Sequence, residues 1–168
     1  MPDVTLPRPF TALLALGLLA LALPATAEDD GGALFVNSQE GVVECEDRDV
    51  NVTASKATLA FTGHCKAIHL VGDESRITVE KAELVQASGN GIRLTARGAI
   101  GEVHLVGSRS RFQLTRVETL RIDGDDNHVE AKKIGRIEGA GGRNDVQWSS
   151  GKPEIDDLGS GNTLQRTP

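Results

Sequence analysis

Tyrosine is absent from these 168 residues, and the aromatic residues together make up only 3%. Surfaces that read sugars or bases by stacking on rings are therefore poorly supplied. A basic excess is missing too. Lysine and arginine number 18 against 24 aspartates and glutamates, for a formal charge of −6. Nucleic acid demands a basic surface, so it is not an expected partner. Helix signals nearly vanish beyond residue 30, and only one apolar run is found, at the amino end. No His-Ser-Asp set, phosphate-binding glycine loop or zinc spacing appears, and no cofactor is implied.

The apolar run has the form of an export signal. Arg8 and the amino terminus form a positive region, residues 11–23 are apolar, and Ala25-Thr26-Ala27 places small residues at a cleavage site. The run is too short for an ordinary membrane helix of about 20 residues. Processing after Ala27 would remove Asp3 and Arg8, whose charges cancel, and leave one domain's length of chain. The expected location is exported, in the periplasm or the medium, with no transmembrane segment in the mature chain. In an oxidising compartment the two cysteines, Cys45 and Cys65, read as one disulfide.

What the chain has in quantity is short apolar–polar alternation, as in Val50-x-Val52, Ile68-x-Leu70, Val103-x-Leu105 and Phe112-x-Leu114. That is the period of strands with one buried face. A longer repeat overlies it. With Ala54, Gly72, Ala87, Gly107, Gly124, Gly141 and Gly159 as marks, the spacings are 18, 15, 20, 17, 17 and 18. Five places after each mark stand Leu59, Ile77, Ile92, Phe112, Val129, Val146 and Leu164, all apolar. Four places before it the residue is apolar except at Glu83. Three places after it stand Ala57 and then Ser75, Asn90, Ser110, Asn127, Asn144 and Asn162.

A recurrence of this length means stacked supersecondary units. The pattern predicts an all-β, single-domain parallel β-solenoid of about seven turns with a 17–18 residue repeat. The small residue serves a tight corner. The asparagines and serines form a ladder from turn to turn, neighbouring turns lying about 4.8 Å apart. Length varies mainly between the second strand of one turn and the first of the next, which puts the insertions on one side of the coil. Cys45 and Cys65 fall on that variable corner in adjacent turns, where a bridge would clamp the amino end. The expected division is a signal peptide at 1–27, a cap segment at 28–45, the repeat domain at 46–164 and a tail at 165–168. The rival fold is an antiparallel β-sandwich, which also suits short strands but does not require asparagine at a fixed place in the loops.

The pieces Gly124-x-x-Asn127-x-Val129, Gly141-x-x-Asn144-x-Val146 and Gly159-x-x-Asn162-x-Leu164, with Gly63-His64-Cys65 ahead of Ile68-x-Leu70, carry a resemblance. From about Val43 to Leu164 the chain resembles a secreted bacterial domain-of-unknown-function family, the one numbered three thousand and sixty. The resemblance implies export and a repetitive β fold, and it transfers no catalytic residues.

Chemistry was sought in the histidines and carboxylates. His69 and His104 fall in one outward column with Leu84 between them, about 10 Å apart by two strand spacings, too far to share a zinc ion directly. The pairs Asp125-Asp126 and Asp156-Asp157 lie in corners and read as solvated turn acids rather than a calcium site. An outward column of Arg93, Gln113, Glu130 and Gln147 and another of Arg121, Glu138 and Asp156 mix charges as a solvated face does. Trp148, Phe61 and Phe112 fall in inward columns and read as core. The reading that results is a non-catalytic structural or binding module of the cell envelope or extracellular space, with a glycan or an envelope protein as partner. The alternative is a polysaccharide lyase or hydrolase on the same scaffold, with Glu130 and Glu138 as its carboxylates.

Overall fold

The computed structural model describes residues 32–168, so the expected signal peptide at 1–27 lies outside the described residues. Eleven strands follow in order: β1 Leu34–Val36, β2 Glu40–Glu44, β3 Asp49–Thr53, β4 Thr58–Val71, β5 Arg76–Ser88, β6 Arg93–Val106, β7 Arg111–Asp123, β8 His128–Ala140, β9 Asp145–Ser150, β10 Glu154–Asp157 and β11 Thr163–Arg166. Every strand pairing is parallel. That excludes the antiparallel sandwich and makes the chain a β-solenoid of about eight turns. The additional turn comes from β1 and β2, which stack on β3 and β4.

Each turn has a first face, a tight corner and a second face. On the first face Val50, Ile68, Val85, Val103, Leu120, Ile137 and Ile155 stack in one column. On the second face Leu59, Ile77, Leu94, Phe112, Val129, Val146 and Leu164 do the same. The long strands join the second face of one turn to the first face of the next. Their in–out alternation breaks on either side of Ala82 in β5, where the chain turns through a second corner. The inward column of that corner is Cys65, Ala82, Ile100, Val117 and Ile134, all buried. Cys45 and Cys65 are bonded to each other at its amino end, and both are fully buried. Phe61, Phe112 and Trp148 belong to the core.

The turns of 18 residues carry their extra residue at the second corner. It falls at Gly63, Gly98 and Gly151, and the ladder register shifts beside the first two.

The structure corrects one mark. Ala87 stacks between Leu70 and Leu105 on the first face, and the mark of that turn is Gly89. With Gly89 in place the spacings become 18, 17, 18, 17, 17 and 18, and the apolar column four places before the mark has Val85 in place of Glu83. From Gly72 onward the marks are glycines because backbone stacks on backbone. A Cβ on Gly89 would lie 2.3 Å from the Gly72 carbonyl oxygen, and one on Gly124 would lie 1.9 Å from that of Gly107.

Candidate functional site

The tight corner is the most densely bonded part of the surface. Two places after the mark the backbone is left-handed in every turn from Lys56 to Gly161, with φ between 55° and 68°. Lys56, Glu74, Arg109, Asp126 and Arg143 all hold this conformation without being glycine. Of these only Asp126 is a residue type that signals a turn. The corner is imposed by the ladder on either side of it.

One ladder stands three places after the mark. It runs Ser75, Ile92, Ser110, Asn127, Asn144 and Asn162, so the corrected mark replaces Asn90 with Ile92. The Ala57 N–H donates to Ser75 Oγ at 3.2 Å, and the Ile92 N–H donates to Ser110 Oγ at 3.1 Å. The Ser110, Asn127 and Asn144 N–H groups donate to Oδ1 of Asn127, Asn144 and Asn162 at 2.9, 3.0 and 2.9 Å. Each asparagine also reaches back, Asn127 Nδ2 donating to the Gly107 carbonyl at 2.9 Å and Asn144 Nδ2 to that of Gly124 at 2.8 Å. Asn90 belongs to a second, exposed ladder. There its N–H donates to Asp73 Oδ1 at 2.7 Å, and its own Oδ1 accepts from the Ser108 N–H at 3.0 Å.

The acidic pairs are absorbed by these corners. Asp125 Oδ1 accepts from the Gly142 N–H at 2.7 Å. Asp126 meets the Arg143 guanidinium through two bonds of 2.7 and 2.9 Å. Those bonds hold the Asp126 carboxyl below its ordinary range and push the Arg143 guanidinium up. Asp157 Oδ1 accepts from Gly159 N–H and Asn162 Nδ2. Among the described residues no group of three or more histidine, cysteine or acidic side chains is placed to hold a metal ion.

On the first face, Gln86 and not Leu84 separates His69 from His104, because the corrected register moves Leu84 one column outward. His69 Nδ1 lies 3.1 Å from Gln86 Oε1. His104 Nε2 lies 2.6 Å from Asp123 Oδ2, and Arg121 Nε donates to the same oxygen at 3.2 Å. Partial burial pushes the Asp123 carboxyl up. The hydrogen bonds from His104 and Arg121 outweigh it, and their positive charges add to them, so the group sits below its ordinary range.

The second face holds an open groove of about 560 Å³ lined by Thr95, Arg97, Gln113, Glu130, Lys132 and Gln147, among others. The column along its floor is Thr95, Gln113, Glu130 and Gln147. Arg93, expected in that column, stands in the neighbouring one between Arg76 and Arg111. Among the described residues Glu130 is the only carboxylate lining the groove. Its Oε1 lies 2.7 Å from His128 Nε2, while His128 Nδ1 lies 3.0 Å from Asp145 Oδ2. Glu138 stacks beneath Arg121 on the first face. The two carboxylates of the enzyme reading therefore do not face one cleft, as paired acid and base require. Sequence reasoning missed the His128 cluster. A single histidine among acids two and seventeen residues away carries no recognisable spacing until the coil height is known.

The pattern of DUF3060, described as a protein of unknown function, matches residues 52–109 and again residues 105–161. The chain belongs to this family. The two matches overlap at residues 105–109, in the turn that contains Gly107, and each spans about three turns of the coil. No curated protein and no solved structure matches the chain.

Proposed function

We propose that this DUF3060 protein is an exported, non-catalytic binding module of the cell envelope or extracellular space, working through its second face. The observation that carries the reading is the groove. It is an open trough whose floor carries the hydroxyl of Thr95, the amides of Gln113 and Gln147 and the carboxylate of Glu130 on successive turns, and such extended surfaces suit linear ligands. The fully buried Cys45–Cys65 bridge supports an oxidising compartment. The signal-like segment supports export, with processing after Ala27. Amino-terminal sequencing of the mature protein should begin at Glu28; a start at Met1 would count against processing.

The test of binding is capture from an envelope fraction on the immobilised oxidised protein. A component should be enriched by the native chain and reduced by Gln113→Ala, whose side chain is exposed on the groove floor. No enrichment at any salt concentration would overturn the reading.

A further inference from the structure

The second face carries a line of positive charge that the fold itself does not use. Arg76, Arg93 and Arg111 stack in register on three successive turns. Their backbones are about 4.8 Å apart from turn to turn, and like charges so placed repel. All three are exposed. Among the described residues none of them forms an ion pair, whereas Arg121, Arg136 and Arg143 all do. Arg109 adds a fourth unpaired guanidinium at the tight corner. It lines a notch with Arg93, Arg111, Gly91 and a single carboxylate, Glu74. The notch exists because Gly91 takes the place that Glu74 and Arg109 fill on neighbouring turns. On the far side of the groove floor stand Arg97 and Lys132.

This concentration is local. The outward columns of the second face hold five cationic side chains, Arg76, Arg93, Arg97, Arg111 and Lys132, and five carboxylates, but Glu40 and Glu44 stand in the first turn and Asp145 beyond His128, so Arg76, Arg93 and Arg111 follow one another with no carboxylate between them. The first face is acidic. Arg121 and Arg136 are outnumbered there by Asp49, Glu102, Asp123, Glu138, Glu154 and Asp156. A chain of formal charge −6 has thus gathered free arginines along one line of one face.

We propose that the second face binds a linear acidic polysaccharide lying along the coil axis. Its carboxylate or sulfate groups meet the Arg76–Arg93–Arg111 line, and its hydroxyls meet the Thr95 and Gln113 floor. This deepens the binding reading above and rests on it. Three features select the ligand. Guanidinium forks suit planar or multi-oxygen anions bound through paired hydrogen bonds. Hydroxyl and amide floors exchange hydrogen bonds with sugar hydroxyls. A single-stranded nucleic acid would want aromatic platforms, whereas Phe61, Phe112 and Trp148 are buried in the core and the exposed Phe35 stands on the first face, in register with Asn51. A membrane surface would want a cluster of exposed apolar groups, whereas among the described residues the second face exposes one large apolar side chain, Val42 in the first turn, and Val71 and Val106 project from the first face.

The test is affinity electrophoresis and calorimetry of the full, oxidised protein with polygalacturonate, a sulfated glycosaminoglycan, neutral dextran and double-stranded DNA, each at low and at physiological salt. The native protein should bind at least one of the two acidic glycans, more weakly as salt rises, and should ignore dextran. Arg93→Gln with Arg111→Gln should weaken binding roughly tenfold or more, at about fivefold for each exposed charge pair lost. Arg121→Gln on the opposite face should leave binding unchanged. Polygalacturonate and the sulfated glycan separate the carboxylate from the sulfate source. Equal binding of DNA would reduce the face to an indiscriminate ion exchanger and overturn the proposal. Binding of dextran alone would overturn it while leaving the binding module standing. Silence toward every probe beside successful envelope capture would do the same, and silence in both experiments would remove the binding reading as well.

Discussion

Replacing Asn127 with alanine removes a side chain that the coil cannot spare. Its residue is 1% exposed. The Asn127 Oδ1 is the acceptor for the Ser110 N–H, and its Nδ2 is a donor to the Gly107 carbonyl. Alanine leaves that donor and that acceptor without their partners, and the site is closed to water. At about 1–3 kcal/mol for each buried group left unmade, the loss is roughly 3 kcal/mol. Against a total stability on the order of 5–15 kcal/mol for a single domain, that is a large fraction. The melting temperature should fall by about 10 °C. In urea the midpoint should drop with the slope unchanged. Two probes are at hand, the fluorescence of the single tryptophan, Trp148, and the far-ultraviolet circular dichroism of the strands, and they should move together. Asn90→Ala is the internal control. Asn90 is exposed and its ladder faces solvent, so water replaces the lost bond and the cost should stay under about 1 kcal/mol. Equal losses at the two positions would refute the argument, because they would mean that burial of the ladder does not set its worth.

Removing the bridge with Cys45→Ala and Cys65→Ala reopens a 20-residue separation, which chain entropy values at about 3 kcal/mol; a urea midpoint that hardly moves would show that packing alone holds the first turns. Because both cysteines are fully buried, a mild reductant should cleave the bridge only as fast as the amino end opens, which thiol trapping at increasing urea will measure. Gly124→Ala sets a Cβ against the Gly107 carbonyl in a backbone of φ 153° and should cost more than about 2 kcal/mol. Gly139→Ala meets only the exposed Asp157 side chain, at 3.2 Å, and should cost under about 1 kcal/mol by the same thermal melts; equal costs would refute the account of the marks. Asp123, whose folded pKa lies below its ordinary 3.8, stabilises the coil at neutral pH, and that contribution is lost as pH falls below 3.8 through the folded value. Asp123→Asn should therefore flatten the acid limb of a stability–pH curve, and an unchanged limb would remove the His104–Asp123–Arg121 cluster from the account.

Much of this architecture is written in the repeat, and the exception has a definite cause. In the third turn Ala87 is small and Ile92 is apolar five places later, so the pair imitates a mark and its column. The true mark, Gly89, lies two residues on. A slip of two preserves which side chains face inward, so strand alternation gives no warning of it. Two signals were there to be used: the uneven spacings of 15 and 20, and the lone Glu83 in an otherwise apolar column. The same slip hid the arginine line, because it moved Arg93 into the groove floor and parted it from Arg76 and Arg111. The left-handed corner residues were illegible for another reason. Lysine, glutamate and arginine stand there with no local preference for it, only Asp126 among the non-glycines being of a type that tolerates it, and the conformation is set by neighbours about seventeen residues away. The buried disulfide was legible because compartment and corner pointed to the same two residues.

Each turn of the coil touches only the turn before it and the turn after it, and the glycine marks make those contacts alike from one end to the other. Length is therefore a quantity that can change without redesign. Duplicating one short and one long turn in frame would add a further pair of strand layers, carry every column onward and lengthen the groove by two more rungs. A lineage built on such a coil can match the reach of its surface to the ligand it holds by copying turns, with the bridge fixed at one end and growth confined to the rest.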